Sequence, residues 1–241
     1  WSKGEDFALH MLRNTDIGKI FEENLEKNGV KVLFYWPASV EGFISKNPVR
    51  TPEDLKGQKF RMGSGIWKSW YDQLGAAPVN VAAAEQYEAL LRGTMDGTAY
   101  PYYTIDTYKF YEVTNYITVP GMIDPIMCLT SISTKTWEKL PADVQEAILE
   151  AAAEIEPKTL EGSKRLTDET IAIAEKHGIE VIKLTKEQLQ QFQDSARIVW
   201  DEFAERNSDT KKMVEIWEME QAKWSNEHPE AKDWEAKWLA D

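Results

Sequence analysis

Between residues 58 and 99, short apolar runs alternate with helical segments, and each helical segment stops at a glycine. Residues 58–62 read as a strand. The segment from Gly65 through Leu74 reads as a helix stopped by Gly75, and residues 78–82 as a second strand. Residues 84–92 form a second helix, stopped by Gly93, and residues 94–99 a third strand. Strand, helix, strand, helix, strand with loops this short is the pattern of parallel strands joined by right-handed crossovers. The expected fold class is therefore α/β. Just upstream, Thr51-Pro52-Glu53-Asp54 offers an N-cap, a proline at the first helical position and an acid near the capping-box position, and Gly57 ends that single turn.

The remainder is read around this unit. Residues 5–28 are expected as one helix, with Phe21 and Leu25 on one face and Gly29 as its stop. Residues 30–36 read as a strand, residues 37–50 as a connector carrying Pro37, Gly42 and Pro48, and residues 101–112 as helical. Residues 116–119 and 126–133 read as strands. Pro141 opens a long helix reaching His177-Gly178, with a kink expected at Pro157. After a short strand at 180–184, Thr185-Lys186-Glu187-Gln188 has the capping-box pattern and opens a helix to about Arg206. From Ser208 the tail is helical and rich in Trp and Glu.

Composition removes several function classes. With 28 basic and 41 acidic residues the formal net charge is −13, which argues against nucleic acid and against an anionic membrane surface. The single cysteine, Cys128, rules out an intrachain disulfide and is expected as a buried thiol in an apolar strand. His10, His177 and His228 lack metal-ligand spacing, so no metal site is expected. No apolar run is long enough to span a bilayer, and the polar opening Trp1-Ser2-Lys3-Gly4-Glu5-Asp6 is not a signal peptide. Gly63-Ser64-Gly65-Ile66-Trp67-Lys68 imitates a dinucleotide fingerprint, but Lys68 stands where the third glycine is needed, so no nicotinamide cofactor is expected, nor any other cofactor. A glycine turn at a helix start still aims N–H groups at an anion. An α/β enzyme holding a phosphorylated substrate at this turn is therefore the rival reading.

Several motifs in register carry a family resemblance. Thr51-Pro52-Glu53-Asp54-Leu55-Lys56-Gly57-Gln58-Lys59-Phe60-Arg61 resembles a hallmark of TRAP-transporter solute-binding proteins of the DctP type. Leu74-Gly75-Ala76-Ala77-Pro78-Val79, the helix Glu85-Gln86-Tyr87-Glu88-Ala89-Leu90-Leu91-Arg92-Gly93 and the turn Met95-Asp96-Gly97 continue the pattern. Lys109-Phe110-Tyr111-Glu112-Val113 and Leu140-Pro141-Ala142-Asp143-Val144-Gln145 complete it. The resemblance implies two α/β lobes joined by strands and a long helix, closing around an organic acid without catalysis. It further implies a periplasmic protein that delivers its ligand to TRAP-transporter membrane subunits. It places 1–38 plus about 126–165 in lobe I, lacking the family's N-terminal segment, 39–125 plus 166–206 in lobe II, and 207–241 in a tail.

The resemblance also implies a site. Arg61 occupies the position of the arginine that pairs bidentately with the ligand carboxylate. Ser64 and its flanking glycines are candidates for further donors. Trp67 and Trp70 follow on the helix, one to wall the pocket and one to pack inside, with Trp67 nearer the loop. Tyr100 stands where many relatives carry a ligand-binding asparagine, and Tyr103 lies close by. Ala83 replaces a bulkier side chain and Met122 a histidine, which suggests an aromatic or bulky carboxylate. Trp36 is a candidate cleft residue. Glu41 lies in the connector where some relatives have a second arginine; it is either a solvated loop acid or a partner for a ligand amine. Glu85 and Asp96 are explained by a helix cap and a turn. In the tail, Trp217 and Trp224 are seven apart and Trp234 and Trp238 four apart, spacings that share a helix face. Packing across the back of the lobes is expected there, with a homodimer contact as the alternative.

Overall fold

A computed structural model of the protein describes residues 4–63, 65–123, 126–228 and 238–240. The chain opens with α1 (Glu5–Asn14) and α2 (Asp16–Lys27), not with one helix over 5–28. Thr15 is extended, and its hydroxyl accepts the Ile17 N–H at 3.1 Å, which caps α2. The turn is tight enough to require glycine at 18, where a Cβ would lie 1.7 Å from the Leu12 carbonyl oxygen. Strand β1 (Val30–Pro37) follows as expected. The presumed connector, however, contains a second strand, β2 (Glu41–Ser45). All five of its residues are buried. A strand covered on both faces shows no alternation of apolar and polar residues, and that is why the pattern did not reveal it.

Next come β3 (Lys59–Arg61), α3 (Gly65–Gln73), β4 (Ala77–Val79), α4 (Gln86–Arg92) and β5 (Gly97–Pro101), in the order read from the sequence. Gly75 and Gly93 take φ of +69° and +70°, as helix stops of this kind require. Residues 101–112 are not a continuous helix: α5 (Thr104–Thr107) is one turn, and Phe110–Glu112 is a separate 3-10 turn. The chain continues through β6 (Tyr116–Val119), β7 (Met127–Ser133), α6 (Thr134–Trp137) and α7 (Ala142–Lys176), then β8 (Glu180–Lys183), α8 (Lys186–Ser195), α9 (Arg197–Ala204) and α10 (Ser208–Glu227). The helix expected to run to Arg206 is thus divided at Ala196.

Six strands form one sheet in the order β4-β3-β5-β2-β6-β8. β3, β4, β5, β6 and β8 run parallel, and β2 runs antiparallel to both of its neighbours. Phe43, Phe60, Trp67, Trp70, Tyr71 and Phe192 fill one face of this sheet, and Ile44, Leu90, Tyr102, Phe110, Ile117 and Ala174 fill the other. Both faces are therefore covered, as a largely parallel sheet demands. β1 and β7 form a separate antiparallel pair in which Trp36 faces Cys128.

The two sheets are tied in two ways. Residues 38–40 cross between them beside residues 120–123 and 126, joined by Ala38 N–H to Ile126 O at 2.8 Å and Glu41 N–H to Ile123 O at 2.9 Å. α7, with 35 residues about 52 Å long, backs both sheets and continues through Pro157. In its first half, Glu156 accepts the Tyr35 N–H at 2.8 Å and the Arg13 fork at 2.6 and 3.1 Å. Further along, Thr167 bonds the hydroxyl of Ser39 in the crossing at 2.7 Å. The tail is docked as well. Trp217 and Trp224 sit 5.1 and 5.6 Å from Phe7 of α1, and Trp238 packs against the second core. Trp234, the remaining ring of the expected pair, lies outside the described residues.

Candidate functional site

Five parallel strands bring their carboxyl ends to one edge of the large sheet, and the antiparallel β2 starts at that same edge. Ligands of open α/β sheets bind beyond this edge, where loops and helix starts converge. Here the edge also meets the two crossings to the small sheet.

Arg61 is the last residue of β3 and is half-buried. Its Nε donates to the Val81 carbonyl at 3.0 Å, and its guanidinium carbon lies 4.9 Å from the centre of the Tyr100 ring. Among the described residues it forms no ion pair, so both terminal nitrogens remain for an incoming anion. Gly63 lies against this fork: a Cβ there would come within 3.2 Å of Arg61 Nη1 and 3.8 Å of the Trp67 ring. The glycine turn therefore does two jobs, opening α3 and leaving the guanidinium uncovered.

Tyr100, in β5, supplies the flat face under Arg61 and contacts Tyr108 at 6.1 Å between ring centres. Burial, followed by the neighbouring Tyr108 hydroxyl, raises its pKa. Tyr103 follows β5, and burial, with Tyr108, Cys128 and Glu41 nearby, raises its pKa as well. Trp67 is 7% exposed and stacks on Tyr71 at 5.5 Å, so most of its ring belongs to the core and only the edge toward Gly63 reaches the site. Trp70 is wholly interior and donates to Ser195 at 2.9 Å. Met122 is also buried, against the first core. Ala83 is half-buried in the 3-10 turn Ala83–Glu85, which follows the loop that holds Val81. Trp36 is half-buried near the end of β1. Ser64 lies outside the described residues.

Two expectations change. Cys128 is half-buried rather than enclosed, and its pKa is raised by burial and by Glu41. Glu41 is no solvated loop acid. It is the first residue of β2, 4% exposed, and burial pushes its pKa up to about 8 against the opposing pull of Arg61. The sequence carries no local signal for it: Glu-Gly before Phe-Ile is too short to read as a strand. Asp96 is structural as expected, accepting the Lys59 N–H at 2.8 Å. Glu85 makes no side-chain cap. A groove of about 490 Å³ between β1 and α7 lies elsewhere, lined by Leu33, Phe34, Ile148 and Ile155 with few polar groups.

Residues 6–207 match the family model of bacterial extracellular solute-binding proteins, family 7, the DctP family. The chain belongs to that family. Its similarity extends to the C4-dicarboxylate-binding periplasmic protein DctP of Vibrio cholerae, 28% identical over 199 residues, covering 81% of this chain and 59% of that protein. A TRAP periplasmic solute-binding protein from Rhodoferax ferrireducens with bound malonate superposes with a TM-score of 0.80 at 25% identity, covering 90% of this chain and 69% of that one. One from Desulfovibrio salexigens with bound orotic acid gives 0.79 at 26% identity, covering 89% and 70%. The chain thus spans about three fifths of the length of the DctP protein it matches. The α/β fold and the family read from the motifs are borne out, and the family is one of extracellular solute-binding proteins. Among the described residues no helix is long and apolar enough to cross a membrane.

Proposed function

We propose that this chain captures an organic acid through Arg61 and, as part of a periplasmic TRAP solute-binding protein, passes it to the transporter's membrane subunits. The observation that carries this reading is the guanidinium at the carboxyl edge of the sheet. It is held by the Val81 carbonyl, braced on Tyr100 and left without a carboxylate partner among the described residues. A planar fork with two free parallel donors matches a carboxylate bidentately, and the aromatic face beneath fixes its plane. Malonate and orotate in the similar proteins are both carboxylates, which supports the ligand class.

In this reading the small sheet with residues 1–38 and 126–165 belongs to one lobe, and the large sheet with residues 39–125 and 166–206 to the other. The crossings at 38–40 and 120–123 act as hinge strands. A ligand that bridges the lobes then favours the closed state by its differential contacts. Tyr100, Tyr103 and the exposed edge of Trp67 wall the site, and Trp36 and Ala83 border it. Trp217 and Trp224 are already packed on Phe7, so a homodimer would have to use other faces of the tail.

Titration calorimetry with malonate, orotate and related acids tests the arginine. Arg61→Ala is expected to weaken the bound acids by at least about tenfold, roughly 1.4 kcal/mol, and Arg61→Lys to recover little, because an ammonium lacks the planar fork. Affinity unchanged by Arg61→Ala would remove Arg61 from the site.

A further inference from the structure

Glu41 is a buried acid that the arginine reading leaves unused. Its backbone is held on both sides: its N–H donates to Ile123 O at 2.9 Å, and its carbonyl accepts from Met122 and Ile123 at 2.8 and 3.0 Å. The adjoining backbone has no slack. A Cβ on Gly42 would lie 2.2 Å from the Tyr102 hydroxyl oxygen, and one on Gly121 would lie 2.7 Å from Glu41 O. The strand therefore cannot turn to carry the carboxyl into water. Alternation along β2 puts the side chain on the face that carries Phe43 and opposite the one where Gly42 meets Tyr102.

At 4% exposure, the carboxyl accepts no hydrogen bond and joins no ion pair among the described residues. Four charged or titratable groups from four parts of the fold interact with it electrostatically: Arg61 of β3, Tyr71 of α3, Tyr103 after β5 and Cys128 of β7. Residues 38–40 lead from the small sheet straight into Glu41, and Ile123 of the other crossing pairs with it, so Glu41 stands at the seam between the two sheets. Arg61, the cation of this group, makes no ion pair with Glu41 and only partly offsets the cost of its burial. A carboxyl in such a place is strongly disfavoured as an anion until a donor or cation reaches it.

We propose that Glu41 is the second anchor of the site and that the ligand is a zwitterion, with a carboxylate for Arg61 and a cationic nitrogen for Glu41. This rests on the arginine reading above. A second carboxylate on the ligand would meet either a like charge or a group that must keep its proton. A neutral hydroxyl would leave the proton on Glu41 and release none on binding. An ammonium or amidinium neutralises it. The raised pKa of Glu41 adds a signature: below about pH 8 the free protein holds the proton on Glu41, and the arriving cation releases it to solvent, up to one proton per ligand.

The test uses the full chain and two probe series matched in length. These are 3-aminopropanoate, 4-aminobutanoate and 5-aminopentanoate against succinate, glutarate and adipate. At pH 7 at least one amino acid should bind about tenfold or more tighter than its matched diacid. Its binding enthalpy should change with the buffer's ionisation enthalpy. Glu41→Gln should abolish both the preference and the proton release while melting as a folded protein, and Arg61→Ala should weaken both series. If the diacids bind as tightly as the amino acids, or if Glu41→Gln leaves the ratio unchanged, the Glu41 inference is overturned and the arginine reading stands. If neither series binds, the Glu41 inference is overturned and the arginine reading rests on the malonate and orotate test; if Arg61→Ala leaves both series bound as before, the arginine reading falls and takes this inference with it.

Discussion

Glu41→Gln isolates the cost of a buried carboxyl, because glutamine has nearly the same shape and cannot ionise. In the unfolded chain Glu41 titrates near 4.5, and in the fold burial raises that to about 8. The fold therefore binds a proton that the unfolded chain gives up, and stability falls as pH rises between those two values. At about 1.4 kcal/mol for each pH unit between them, the wild type loses about 3 kcal/mol by pH 7 and up to about 5 kcal/mol by pH 9. Glu41→Gln escapes that loss. The two proteins should be matched at pH 4.5 and diverge above it, with the variant the more stable. For a chain of this size each 1 kcal/mol moves the melting temperature by about 2–4 °C, so a gap of at least about 6 °C is expected at pH 7. Paired calorimetric melts at pH 4.5, 7 and 9 read it directly, with the smaller influence of Glu41 on Cys128 and the tyrosines confined to the alkaline end. A gap that stays constant across this range would refute the reasoning.

Two further outcomes concern the frame around the site. Gly42→Ala would drive a methyl to within 2.2 Å of the Tyr102 hydroxyl, which bonds the Thr118 carbonyl across the buried sheet. It should cost about 1–3 kcal/mol in urea unfolding, and a neutral result would show that β2 can shift. Glu156→Ala strips the Tyr35 N–H and the Arg13 fork of their shared acceptor, and should lower stability by about 3 kcal/mol. A loss under about 1 kcal/mol would mean that this end of α7 is not held by that carboxylate.

The order of β3, α3, β4, α4 and β5 was readable because each boundary has a local cause. Gly75 and Gly93 stop helices by adopting positive φ, and Thr185 caps α8 with its own hydroxyl, which accepts the Gln188 N–H at 3.2 Å. The arginine at the end of β3 was readable for a different reason, since it closes a motif that resembles a hallmark of the family. What failed to show were the features settled by distant partners. β2 is a strand because β5 and β6 flank it, and nothing in Glu-Gly-Phe-Ile-Ser requires that. Thr15 breaks a helical pattern because α2 folds back on Leu12.

The sequence by itself determined the α/β layering, the family and the place of Arg61, because caps, glycine stops and short crossovers act over a few residues. Only the tertiary structure decided the character of Glu41. Burial is a property of what the rest of the chain stacks around a residue, and a carboxyl that water would ionise near 4.5 holds its proton to about 8 once β2 is enclosed between β5 and β6.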